Sequence, residues 1–343
     1  MELDRYLEDL EKRLIPDQEE AVLAAWEEWQ NHTRSEDKIF RGLERVPSLS
    51  KLEWPNYCIN EALEDEDKMI LREFYSVNRK LESGEGYRLH VRPNYGVVNI
   101  PTMYGMKVFI MDDKFDTLPT VIPDKEGRIY DWLKDGNRPD MYEGNGKIIF
   151  QIIERFADIF RNYPKIGKYV HMNHPDLQGP MDNCELIRGS ELFFDLYDSP
   201  EDVHMLLESV TNLMESITDS INNILPSRDG TCGYFDHFEN GGIVIRDDSA
   251  MNLSPEMYHD FIAPYDERLL KKYGGIVHFC GKGDHYIEQL ARLEGLRGIN
   301  MSQPHLNDME IIFHETIDRG INLSLNLDAK VGNHDVRHLC RWG

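Results

Sequence analysis

Gly274-Gly275-Ile276-Val277-His278-Phe279-Cys280-Gly281-Lys282-Gly283-Asp284-His285 is the stretch on which the reading of this chain turns. It begins as a strand, with two glycines and then β-branched Ile276 and Val277. It ends in a glycine-rich turn, and a helical pattern follows from Asp284 to Leu293. His278 and Cys280 stand two residues apart, so on a strand both side chains face the same way. An imidazole and a thiolate side by side suit zinc, which accepts nitrogen and sulfur donors together. The competing reading is a buried cysteine beside a hydrogen-bonded core histidine. Two donors are too few for a tight zinc site, so a third must come from elsewhere.

Working outward, the same texture recurs on both sides. Downstream, Leu296–Met301 reads as a strand, Asn307 as the cap of a helix over 308–318, and Ile321–Leu327 as another strand. Upstream, Ile243-Val244-Ile245 is a strand running into Arg246-Asp247-Asp248-Ser249. Ser254-Pro255-Glu256 then starts a helix, and Gly274 ends the helical run. Ser199-Pro200 opens a long helix whose stripe is Val203, Leu206, Leu207, Val210, Leu213, Met214, Ile217, Ile221 and Ile224. Tyr169–Asn173 reads as a strand that enters the loop His174-Pro175-Asp176-Leu177-Gln178-Gly179-Pro180. Tyr87–Arg92 and Met106–Met111 are two more strands, the second ending in Asp112-Asp113. Residues 1–80 are acidic and helical in pattern, with Leu3, Leu7, Leu10 and Leu14 as the first stripe. They are expected to form an N-terminal helical layer packed on a second body, residues 81–343.

Strands of about six residues alternating with helices point to βα units and a parallel sheet. Asp112, His174, Asp248, His278, Cys280 and Gln303 all fall just past strands. That is where a (β/α)8 TIM-type barrel keeps its active site. A doubly wound sheet is the alternative, but no glycine-rich nucleotide fingerprint follows the first strand. Helix caps and hydrated loops are the ordinary fate of such acids.

The chain has 343 residues and 41% hydrophobic content, enough for one large barrel or two ordinary domains. Its net charge is −24, from 62 acidic against 38 basic residues, which argues against nucleic acid and anionic membranes as partners. No stretch approaches the ~18 apolar residues of a membrane span. The acidic N-terminus lacks the pattern of a signal peptide, so a cytoplasmic location is expected. Five widely spaced cysteines, Cys58, Cys184, Cys232, Cys280 and Cys340, suit a reducing compartment better than a disulfide framework.

Several separate motifs resemble the uroporphyrinogen decarboxylase superfamily. They are Asp176-Leu177-Gln178-Gly179-Pro180-Met181-Asp182, Arg188 through Phe193-Phe194-Asp195-Leu196 to Ser199-Pro200-Glu201, and Asp247-Asp248-Ser249 with Leu253-Ser254-Pro255-Glu256-Met257-Tyr258 and Pro264-Tyr265. His278-Phe279-Cys280-Gly281 is similar to the superfamily's methyltransferase branch, which passes methyl groups between corrinoid cobalt and thiols. The resemblance covers about residues 86–330. It implies a (β/α)8 barrel, here with an eighth strand that is missing or atypical. It implies zinc on His278, Cys280 and a later cysteine, for which Cys340 is the one available. The setting of Cys340, His338-Leu339-Cys340-Arg341, departs from the branch's glycine-rich turn. Cys232, Cys184, Asp248 and Glu239 stand behind it as third donors. Asp248, and Asp112 as counterpart of the decarboxylases' aspartate, are the expected catalytic groups. His174, Gln178, Arg92 and Gln303 are the expected substrate contacts. Implied partners are methylcobalamin, held on a corrinoid protein, a small-molecule thiol, and a second copy of the chain as a homodimer. The arginine-rich substrate motif of the decarboxylases is absent from Arg88–Gly96, so a pocket with few cations is expected. A metal-free decarboxylase and a non-catalytic relative are the alternatives.

Overall fold

The computed structural model describes residues 2–31, 39–40, 43–227, 230–325 and 339–341. Its strands are β1 Ile39–Phe40, β2 Leu89–Val91, β3 Lys107–Phe109, β4 Thr120–Ile122, β5 Val170–Met172 and β6 Thr231–Tyr234. Then come β7 His237–Asn240, β8 Ile243–Arg246, β9 Gly275–Phe279, β10 Leu296–Met301, β11 Asn322–Leu325 and β12 Leu339–Arg341. Six of them form one sheet in the order β1-β12-β11-β10-β9-β8, every pair parallel. β2 and β5 form a separate parallel pair. The chain is therefore mixed α/β with parallel strands, as its alternation of elements predicts. The predicted ring is not closed by hydrogen bonds: among the described residues no strand pairing joins β5 to β8 or β2 to β1. The last strand is atypical, being three residues long and flanked by the two-residue β1 rather than by β2.

Two antiparallel hairpins depart from the expected pattern. Met106–Met111 was expected as a parallel strand, but among the described residues β3 pairs antiparallel with β4 alone and stands outside the parallel sheets. The other hairpin, β6–β7, lies between the two parallel sheets. Its Phe238 sits under the Arg88 guanidinium, 4.5 Å away, and against the rings of His90 and His171, which come from β2 and β5. On its other side Tyr234 stacks on His278 of β9, and Glu239 accepts from Asn322 Nδ2 of β11 at 3.0 Å. The hairpin thus fills the space that strand side chains alone fill in an ordinary barrel.

The helices follow their stripes. In Pro200–Ile224 the predicted apolar positions from Val203 to Ile221 are buried, and each fully buried aliphatic side chain is worth about 1.5–3 kcal/mol. Leu3, Leu7, Leu10 and Leu14 join the same core as Phe74, Phe156 and Met172. Trp26 and Trp29 of helix Pro16–Gln30 pack on Phe238, so that helix closes over the β6–β7 hairpin. Ile59–Glu64 and Glu66–Ser83 are separate helices, split where the Asp65 carboxylate caps the N–H groups of Asp67 and Lys68. The helix predicted to start at Ser254-Pro255-Glu256 does so, and the Ser254 hydroxyl accepts the Met257 N–H at 3.2 Å. Ser199 occupies an N-cap without making the bond. Asp308, not Asn307, caps the helix Met309–Glu315. No helix among the described residues is long and apolar enough to cross a membrane.

Candidate metal centre

β9 is buried along its whole length, and its start depends on glycine. Gly275 has φ +155°, and a Cβ there would lie 1.9 Å from the Ile243 carbonyl oxygen of β8. Strand β9 then carries His278 to its C-terminal end, with Cys280 just beyond. Parallel register places Arg246 of β8 and Asn300 of β10 on either side of His278. The chain after β8 turns at Asp248, and the Asp182 carboxylate pins that turn. It accepts the N–H groups of Asp248 and Ser249 at 2.9 Å each, and the Ser249 hydroxyl. Burial, with Asp247 and Asp248 close by, still pushes the Asp182 carboxyl well upward.

Asp248, His278 and Cys280 converge. His278 Nε2 is 3.3 Å from Cys280 Sγ and 3.5 Å from Asp248 Oδ1. Asp248 Oδ1 also accepts the Cys280 N–H at 2.8 Å. The donor atoms of the three residues all lie within 4.8 Å of one another. A tetrahedral zinc ion separates neighbouring nitrogen, oxygen and sulfur donors by about 3.3–3.6 Å, so the spacing fits. One Cys, one His and one carboxylate leave a fourth position for a substrate.

The second nitrogen of His278 decides its readiness. Asn300 Nδ2 donates to the Ser324 hydroxyl at 3.0 Å, which turns Asn300 Oδ1 toward His278 Nδ1 at 2.5 Å. This network assigns the proton to Nδ1 and leaves the Nε2 lone pair facing Cys280 and Asp248. Burial lowers the His278 pKa to about 4, so the ring is neutral and able to ligate at pH 7. Burial first, and the Asp248 charge second, push the Cys280 thiol up to about 11. A cation there would reverse that shift, because a coordinating thiol is deprotonated outright. The Tyr234 ring stacks on the His278 ring at 4.3 Å and 18°, and the Arg246 guanidinium lies over Tyr234 at 4.9 Å.

The other expected site residues divide. Gln303 Oε1 accepts the Gly281 N–H, holding the turn after Cys280. Asn307 locks the same turn, accepting the N–H of Gly283 at 2.7 Å and donating to the Gly281 carbonyl at 2.9 Å. Gln178 Nε2 donates to Asp176 Oδ1 at 2.5 Å, and Asp176 pairs with Arg246, so Gln178 acts from behind the site. Arg92 bonds Asn94 Oδ1 at 2.9 Å and lies 5.3 Å over Phe235, the residue after Tyr234. Two arginines therefore border the site, where few cations were expected, and Asp176 offsets the charge of Arg246.

Two expected members lie elsewhere. Asp112 stands in the loop of the β3–β4 hairpin, its side chain 77% exposed and 3.4 Å from Lys114. The antiparallel pairing of β3 carries it away from the ends of the parallel strands. His174 bonds Asn222 of the long helix and lines a small cavity beside Cys232 and Val244, in the gap between β5 and β8. Among the alternative third donors, Cys184 and Cys232 are buried in other packing, and Glu239 bonds His237 Nε2 at 2.9 Å. The Cys340 side chain lies outside the described residues. Backbone register puts Cys340 opposite Ser324, which stands opposite Asn300, three strands from His278. At about 4.8 Å per strand that is some ~14 Å along the sheet.

Tyr234, Asn300 and Ser302, whose hydroxyl lies 3.6 Å from Cys280 Sγ, were not singled out from sequence. One signal existed for Asn300 and Ser302. Asn300-Met301-Ser302-Gln303 repeats the polar i, i+2 spacing of His278-Phe279-Cys280-Gly281 on the next strand, and parallel register brings the two rows together.

Fold and donor set together define a class: an α/β chain of parallel strands with an imidazole, a thiol and a carboxylate gathered at the strand ends. Among solved structures, a methyltransferase from Methanosarcina mazei shares the fold, with a TM-score of 0.58 over 83% of this chain and 81% of that chain at 13% sequence identity. No protein-family model and no curated protein sequence matches the chain.

Proposed function

We propose that the chain is a zinc-dependent methyltransferase, built on an open form of the uroporphyrinogen decarboxylase-like barrel, that moves a methyl group between a corrinoid and a small-molecule thiol. The observation that carries this reading is the convergence of Asp248, His278 and Cys280, with the Nε2 lone pair of His278 already aimed at the other two donors. Asp248, His278 and Cys280 would hold the ion. Bound there, zinc would lower the pKa of a substrate thiol and keep it nucleophilic at neutral pH.

The chain's own residues do the rest. Asn300 and Ser324 fix the imidazole tautomer. Asp182 and Gln303 hold the two turns that carry Asp248 and Cys280. Tyr234 closes one face of His278 and excludes water from it. Arg92 and Phe235 border the approach and contact the incoming substrate. The methyl donor is a corrinoid carried by a partner protein. The fold likeness to a methyltransferase supports this reading.

Zinc content, measured with turnover of methylcobalamin against a panel of small thiols, tests the proposal. About one zinc per chain and thiol methylation are expected. Zinc-free protein, purified under reducing conditions with metal supplied, refutes the reading. Turnover of uroporphyrinogen by metal-free protein would replace it with decarboxylation.

A further inference from the structure

The tip of the β6–β7 hairpin is strained, and it is tied down from outside the hairpin. Phe235 and Asp236 alone connect Tyr234 to His237, which stand opposite each other in the register. Phe235 has φ +48°, and Asp236 has no positive φ. Tight two-residue turns reserve such a first position for glycine. A bulky residue stays there only where its surroundings over-determine it. The Phe235 ring is 45% exposed, so burial of the side chain does not hold it. The restraint falls on Asp236. Its carboxylate accepts from Lys80 Nζ, and from His90 Nε2 at 3.2 Å. Lys80 also donates to the Arg88 carbonyl at 3.2 Å. Lys80 comes from helix Glu66–Ser83 and His90 from β2, two elements anchored in the core by Val77, Leu81, Leu89 and Val91. The Lys80 side chain is 12% exposed, so this is not one of the solvent-screened surface pairs that contribute little.

We infer that Asp236 is a positioning residue of the candidate metal centre: clasped by Lys80 and His90, it keeps Phe235 left-handed and so holds the Tyr234 ring on His278. This role presupposes the zinc centre proposed for Asp248, His278 and Cys280. The path is short. Tyr234 directly precedes the strained residue, and its ring lies 4.3 Å from the His278 ring at 18°. With the clasp open, Phe235 relaxes toward an ordinary backbone conformation, and the direction in which the chain leaves Tyr234 changes with it. The imidazole face then meets water. The ring loses one of its two restraints and keeps the other, the bond from Nδ1 to Asn300.

Two readouts test the inference. In metal-free protein the His278 ring protons, assigned by their loss in His278→Gln, are shifted by the ring current of the stacked Tyr234. Asp236→Ala should move them to the position found in Tyr234→Ala. Should that variant not fold, Lys80→Met, which keeps the buried stem, gives the same reading. Adding Phe235→Asn to Asp236→Ala should return the signals, because asparagine takes the left-handed conformation readily. Zinc affinity should follow, falling about tenfold in Asp236→Ala and recovering in the double variant. Signals left at their wild-type position overturn the proposal. Signals that Phe235→Asn fails to return overturn it too, because Asp236 then does not act through the turn. Displaced signals with unchanged zinc affinity overturn its role at the metal. A wild type that binds no zinc refutes the metal centre itself, while the ring shifts still decide the clasp.

Discussion

At the scale of single residues, the centre depends on how His278 is held. Its Nδ1 is committed to Asn300, so Asn300→Ala should leave the ring free to turn. A lost partner of this kind typically costs about 10–100-fold in metal affinity. Competition with a zinc chelator measures it, and an affinity equal to wild type would show that Asn300 does not set the tautomer. Cys280→Ser should lose most bound zinc and the methyl-transfer activity while circular dichroism and core packing persist, since the apolar stripes lie elsewhere. His174 supplies a pH test away from the metal. Burial lowers its pKa from 6.5 to about 4. The unfolded chain then binds the extra proton between those values. The contribution of His174 is fully present above pH 6.5 and is lost as pH falls toward 4, at up to about 1.4 kcal/mol per unit. Urea unfolding at several pH values should show a shallower loss for His174→Gln, which keeps a polar partner for Asn222. Parallel curves for the two proteins would remove His174 from the account.

At the scale of elements, the β6–β7 hairpin replaces ordinary barrel filling and carries Tyr234 to the centre. Gly233 permits it. A Cβ there would lie 2.3 Å from Asn173 Oδ1 and 2.5 Å from the Phe238 ring. Gly233→Ala should therefore cost about 1–3 kcal/mol, the usual range for overpacking. It should also displace Tyr234 and weaken zinc binding. Thermal unfolding and zinc titration read the two effects separately, and a variant normal in both would show that the hairpin does not support the site. The hairpin was not legible as such. Strands of four residues joined by Phe235-Asp236 carry no glycine turn signal. Phe235 adopts φ +48° there, a conformation a bulky residue takes only under tertiary constraint.

At the scale of the whole molecule, metal and fold are linked. An ion that binds the folded chain alone adds about 2.7 kcal/mol of stability at a hundredfold excess over its Kd. Zinc should raise the melting temperature of metal-stripped protein, and Cys280→Ser should abolish the rise. A melting temperature indifferent to zinc in the wild type would separate the triad from metal binding. The parallel strands and their helices share one continuous core, and the N-terminal leucine stripe belongs to it. Loss of a ligand therefore leaves the framework intact.

The sequence by itself determined what local periodicity carries. Alternation of short strands with striped helices announced a parallel α/β chain. The i, i+2 spacing announced that His278 and Cys280 share a face, and Ser254-Pro255-Glu256 announced a helix start. Tertiary structure alone decided the rest. Strand direction depends on the partner, so the pattern of Met106–Met111 suits β3 in an antiparallel hairpin as well as in a barrel. The third donor is a matter of register. Asp248 reaches the centre because β8 lies beside β9, whereas the backbone of Cys340 stands three strands away. Spacing along the chain says which side chains share a face of one strand. Only pairing between strands says which of those faces meet, because the contacts that align them join residues far apart in sequence.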